Sequence, residues 1–159
     1  MVVNQQSDTV TLVDLKTMEA YRNVPVVAGP HEAAVSPDGR RVLVTNYNKQ
    51  GVGQQKTLSL IALPGGDTIK TIDLGEYRAP HDVRWVDGSR VVVTVEGSQA
   101  LLLVNVETGA IERVFKTDAG VSQLSVPDTT AIPLVGLTPA VPSRVTVVPA
   151  DVVRSQWTS

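Results

Sequence analysis

The chain has 159 residues, about one domain's worth, with 42% hydrophobic, 19% charged and only 4% aromatic residues and a formal net charge of −2. The absence of cysteine excludes disulfide frameworks, thiolate metal sites, iron–sulfur clusters and thiol nucleophiles. The near-neutral balance argues against a nucleic-acid partner, and no apolar run approaches the roughly 18 to 20 residues that span a bilayer.

The N-terminus, Met1-Val2-Val3-Asn4, lacks the basic and long apolar regions of a signal peptide, so the chain as given carries no export address. Val2-Val3-Asn4 reads instead as the tail of a strand. Thr11-Leu12-Val13-Asp14-Leu15 is the first of four similar runs. The others are Ser59-Leu60-Ile61-Ala62-Leu63, Leu102-Leu103-Val104-Asn105-Val106 and, more weakly, Thr146-Val147-Val148-Pro149-Ala150. Counted from residues 14, 62, 105 and 149, their offsets are 48, 43 and 44. A second register relates Val35-Ser36-Pro37-Asp38-Gly39 to Trp85-Val86-Asp87-Gly88 and to Val126-Pro127-Asp128-Thr129, and an apolar, β-rich run follows each. A third pairs Gly29-Pro30-His31-Glu32 with Ala79-Pro80-His81-Asp82, 50 residues on.

Each repeat reads as four short strands, A to D. In the second, A covers about 31–36, B about 41–46, C about 57–63 and D about 67–74. Asp-Gly between apolar runs is a strong hairpin signal, because glycine reaches positive φ at little cost. Asp38, Asp87 and Asp128 are read as turn residues bonding their own backbone, and Asp14 and Asn105 as serving the turn after strand C. Pro64-Gly65-Gly66-Asp67 and Glu107-Thr108-Gly109 supply C–D turns. The valine-rich runs suit strands, and no amphipathic helix of ten or more residues is seen. Tyr47 to Lys56 reads as a loop inserted between strands B and C, of the kind that maps to one face. Half of the ten prolines fall in the last 39 residues, which predicts an irregular last repeat.

A period near 45 with four strands per repeat predicts an all-β chain of β-propeller blades, four antiparallel strands each. The blades cover roughly 1–30, 31–80, 81–120 and 121–159. One blade cannot cover both of its faces, so valines and leucines are buried between neighbours. The alternative is a β-sandwich with even spacing. Trp85, on strand A of the third unit, is expected in the inter-blade core.

Pro30-His31-Glu32-Ala33-Ala34-Val35-Ser36-Pro37-Asp38-Gly39-Arg40-Arg41-Val42-Leu43-Val44-Thr45-Asn46 resembles the repeat of the YVTN family of β-propellers, the YncE-like and surface-layer-like bacterial proteins. Thr9-Val10-Thr11-Leu12-Val13-Asp14-Leu15 resembles it too. The resemblance covers about 1–120 well. It implies a seven-bladed ring, whereas 159 residues amount to about three and a half blades. Three arrangements follow: a fragment or truncated form of a longer propeller, which is favoured; edge-to-edge association of copies; or a curved, incomplete stack. The resemblance also implies a periplasmic or extracellular binding or scaffold role. Some YncE-like propellers are associated with DNA, which the acidic balance here disfavours.

His31 and His81 are the only histidines and occupy equivalent positions at the start of strand A. Each precedes an acid, Glu32 and Asp82. One reading is a ring of imidazoles and carboxylates at a channel mouth, holding a ligand or, more weakly, a metal. The other is that each histidine caps the turn before strand A. Val121-Ser122 replaces Pro-His in the third occurrence, which breaks the ring. Asn46 and Tyr47, where strand B ends, complete the ligand-binding candidates. Lys49, Lys56, Arg40 and Arg41 are read as solvating edges. No nucleophile elbow and no His-Glu-x-x-His is present, and no cofactor is indicated. The expected function is a non-catalytic module binding a protein or small molecule through its loop face. The alternative is part of a propeller enzyme, a lactonase-like hydrolase or an oxidoreductase subunit.

Overall fold

In the computed structural model, residues 1–125 and 146–149 are described. Among them every regular element is a strand, apart from two 3-10 turns at Gln5–Ser7 and Glu96–Ser98. The first sheet holds β1 (Val2–Asn4), β2 (Thr9–Asp14) and β3 (Glu19–Pro25), in that order, which take the places of strands B, C and D. The second holds β4 (Pro30–Val35), β5 (Arg41–Lys49), β6 (Gly53–Ala62) and β7 (Thr68–Asp73). The third holds β8 (Pro80–Trp85), β9 (Arg90–Val95), β10 (Ala100–Asn105) and β11 (Ile111–Lys116). All neighbours are antiparallel and sequential, as short hairpin turns require. A last pair joins β12 (Val121–Ser125) to β13 (Thr146–Pro149).

The sheets stack as blades, and the alternation of the strands explains why. On β5, Val42 and Val44 turn to the first blade, where they meet Val10, Leu12 and Val24. Leu43 between them turns to the third blade and joins Leu58, Leu60, Ile72, Val83, Val91, Val93 and Leu102. Every one of these side chains is essentially excluded from water. Fully burying one leucine or valine contributes about 1.5–3 kcal/mol. A middle blade with two apolar faces is therefore stable only with neighbours on both sides. Trp85 lies in the second interface, its indole N–H donating to the Ala34 carbonyl at 2.9 Å, with the Arg41 guanidinium 5.3 Å from the ring.

The turn acids bond their own backbone. Asp38 accepts from the Arg40 amide and the Ser36 hydroxyl, and Asp87 from the Ser89 and Arg90 amides. Asp14 accepts from the Lys16 amide, and Asn105 from the Glu107 and Thr108 amides. Asp128 and the apolar run expected after it lie outside the described residues.

Two segments differ from expectation. Tyr47 to Lys56 is a hairpin extension, not a loop: β5 runs on to Lys49, β6 starts at Gly53, and Asn48 pairs with Gln54. Its polar residues hide the strand period because that stretch has no core to face. β13 (Thr146–Pro149), aligned by sequence with strand C, pairs directly with β12 and so stands where the other blades have strand B.

Candidate functional site

Strands β4 and β8, the A strands of consecutive blades, lie side by side at the inner edge of the stack. Two threonines fix their spacing. Thr45, buried on β5, accepts from the Glu32 amide at 3.0 Å and donates to the His81 carbonyl of the next blade at 2.8 Å. Thr94, its counterpart on β9, accepts from the Asp82 amide at 2.8 Å and donates to the Ser122 carbonyl at 3.2 Å. Each hydroxyl thus joins strand A of its own blade to strand A of the following one.

This spacing brings His31 and His81 together, their ring centroids 4.2 Å apart at a 50° tilt. Tyr47, one residue beyond Asn46 on β5, packs against both rings at 5.0 Å. Its hydroxyl donates to the Glu96 carboxylate at 2.7 Å. Thr45-Asn46-Tyr47 aligns with Thr94-Val95-Glu96, so Tyr47 and Glu96 occupy the same position in successive blades. Sequence reasoning missed Glu96, although that alignment was the signal for it. Glu32 stands 3.8 Å from His31 Nδ1. The Nδ1 atoms of both histidines are buried without a hydrogen-bond partner among the described residues.

Burial holds His81 below the usual imidazole pKa, and the neighbouring His31 lowers it further. Glu96, Asp82 and the Ser122 backbone pull the other way without prevailing. The His81 ring is therefore neutral at neutral pH, and Glu32, Glu96 and Asp82 leave the surroundings negative.

The remaining candidates are placed differently. Asn46 is fully buried, and its amide donates to Thr57 at 2.9 Å and to Ser59 at 3.1 Å within its own sheet. Asp82 is buried too. It accepts from Arg84 at 2.6 Å and, across the blade boundary, from the Leu124 amide at 2.9 Å. The basic residues are dispersed: Lys49 pairs with Asp8, Lys56 with Asp73 and Arg41 with Glu107. Among the described residues, no three His, Asp or Glu side chains are arranged to hold a metal ion. None of the described helices is long and apolar enough to cross a membrane.

The hairpin extension ties three blades together. Lys49 on it binds Asp8 of the first blade, while Gln54 lies so close to Gly97 of the third that a Cβ there would come within 2.8 Å. Gly29, before β4, has φ +68°, and a Cβ on it would lie 2.4 Å from the Asn48 carbonyl oxygen. The equivalent Ala79 also has positive φ, +54°, so it is the approach of the Asn48 backbone that reserves position 29 for glycine.

Solved structures share the stacked four-stranded sheets. Hydrazine synthase from Kuenenia stuttgartiensis is 25% identical, with a TM-score of 0.65 over 79% of this chain and 35% of that one. The WD40 β-propeller domain of Doa1 is 17% identical, with a TM-score of 0.59 over 75% of this chain and 37% of that one. The fold is that of a β-propeller. Dihydro-heme d1 dehydrogenase NirN in complex with DHE is 19% identical, with a TM-score of 0.61 over 77% of this chain and 26% of that one. The chain therefore spans between about a quarter and about a third of the length of these propeller proteins. No protein-family description and no curated protein matches the sequence.

Proposed function

We propose that the chain is a non-catalytic β-propeller module of the YVTN-repeat, YncE-like kind, which binds a cationic group on the face carrying the starts of its A strands. The observation that carries this reading is the convergence of His31, Tyr47 and His81 from two blades beside Glu32 and Glu96. A neutral imidazole, a phenol face and carboxylates suit a guanidinium or ammonium group through cation–π and ionic contact. The occupant is then a basic side chain of a protein partner or a small organic cation.

N-acetyl-arginine amide is a suitable probe, followed through the ring resonances of His31, His81 and Tyr47. Saturable shifts with this probe, absent with N-acetyl-aspartate and abolished in His31→Ala, support the reading. Unmoved resonances, or equal response to the acidic probe, overturn it.

A second reading is favoured by the likeness to a hydrazine synthase and to a dehydrogenase in complex with DHE. Here the chain is part of a propeller enzyme, and the two histidines hold substrate, cofactor or metal. Calorimetric titration with Zn²⁺ separates the two. Stoichiometric binding lost in both His31→Ala and His81→Ala favours the enzyme.

A further inference from the structure

The A strands of the second and third blades both break register at their starts. Pro30 pairs with Asn46 and Ala33 with Val44, so His31 and Glu32 together stand opposite Thr45. Pro80 pairs with Val95 and Val83 with Val93, so His81 and Asp82 together stand opposite Thr94. Two residues against one make a β-bulge. Consecutive side chains on a regular strand point to opposite faces of the sheet, and the bulge breaks that alternation. Glu32 Oε1 thereby comes to 3.8 Å from His31 Nδ1.

The two acids at this position are used differently. Asp82 is 2% exposed, and its carboxylate accepts from the Val83 amide at 2.7 Å, from Arg84 at 2.6 Å and from the Leu124 amide at 2.9 Å. The Glu32 side chain, one methylene longer, is 41% exposed. Ala33 and Ala34 follow it where Val83 and Arg84 follow Asp82, so the second blade lacks the arginine that serves the acid of the third. Among the described residues no lysine or arginine pairs with Glu32.

The rings beside Glu32 restrict what can pair with it. His31, His81 and Tyr47 lie in mutual contact, with centroids 4.2 to 5.0 Å apart, so no cation fits between their faces. A quaternary ammonium, which needs several faces and donates no hydrogen bond, gains little there. A planar guanidinium can lie on the outside of one ring and donate along its edge to a carboxylate. The chain seats its own Arg41 in that way, 5.3 Å from the Trp85 centroid and donating to Glu107 at 2.5 Å. A lysine ammonium is a compact, strongly hydrated point charge and gains less from such a surface. Rings in contact leave no concavity between them, whereas small-molecule sites are concave, so the group is one presented by a protein surface.

We propose that Glu32, beside the His31–Tyr47–His81 rings, takes the guanidinium of an arginine side chain of a protein partner, completing from outside the pair that Arg84 makes with Asp82 within the chain. This rests on the cation-binding reading above and narrows it: Glu32 selects, and arginine is what it selects.

The test follows the ring resonances of His31, His81 and Tyr47 in the full chain during titration with four probes: N-acetyl-arginine amide, N-acetyl-lysine amide, N-acetyl-trimethyllysine amide and free arginine. The capped arginine should bind more tightly than either lysine probe, and free arginine, which adds a carboxylate, no more tightly than the capped form. Glu32→Gln should weaken the capped arginine about fivefold, the size of a half-exposed ion pair, and bring it level with the lysine probes. Glu32→Asp keeps the charge but has the reach of Asp82, and should show the same loss. Lysine binding equal to arginine, tighter binding of free arginine, or undiminished affinity in either variant overturns the proposal while leaving a cation site in place. No response to any probe overturns the broader reading along with it. If a variant fails to fold by circular dichroism, the ranking of the four probes on the wild-type chain decides.

Discussion

Thr45 is the most economical place to test how the blades are held. Its hydroxyl satisfies two buried backbone groups at once, the Glu32 N–H in its own blade and the His81 carbonyl in the next. Thr45→Val keeps the shape and leaves both groups without a partner. An unpaired buried polar group costs about 1–3 kcal/mol, so the variant should lose about 2 kcal/mol or more. Thr45→Ser keeps the hydroxyl and loses one methyl, which costs about 0.8 kcal/mol. With a urea dependence of about 2 kcal/mol per molar, the valine variant should unfold about 1 M earlier than wild type, and the serine variant in between. Urea titrations read by circular dichroism give both midpoints and slopes. A valine variant as stable as wild type, or more stable than the serine variant, would refute the view that this hydroxyl links the two blades.

Two further outcomes follow from the site. His81 has a folded pKa below that of the unfolded chain, chiefly through burial, so the unfolded state takes up its proton first as pH falls. Its contribution to stability is fully present above about pH 6.5 and declines toward the lowered folded pKa. His81→Gln should flatten that limb of a stability–pH curve, and an unchanged curve would contradict the assignment. Asp8, held low by Lys49, and Asp38, held low by Ser36, act elsewhere: their contributions are lost only below about pH 4, so the two limbs are separable. Gly29→Ala should destabilise by about 2–4 kcal/mol, from the left-handed backbone and the contact with Asn48, as read by thermal unfolding. A loss of less than about 0.5 kcal/mol would mean that the hairpin extension does not rest on Gly29.

The blades were legible because their cause is periodic. Apolar pairs such as Val42 and Val44 on one face and Leu43 on the other recur with each four-strand unit, and the Asp-Gly turns set the registers. The hairpin extension was not legible, since Asn48, Gln50 and Gln54 face no core and carry no alternation. The equivalence of His31 and His81 could be read from Pro-His, but their contact could not, because Thr45 sets it through a backbone carbonyl that no side-chain motif announces. Asn46 shows the converse. Its position beside Tyr47 pointed to a ligand, yet the alternation of β5 turns it into the blade interface, where Thr57 and Ser59 take its amide.

The central claim is that consecutive blades pack so closely at their inner strands that residues 50 positions apart share one site. Proton–proton nuclear Overhauser spectra of the aromatic region test it directly. Ring centroids 4.2 Å apart for His31 and His81, and 5.0 Å from each to Tyr47, predict cross-peaks among all three rings. Histidine rings that show contacts only to their own strands and to solvent would contradict the stacked-blade account.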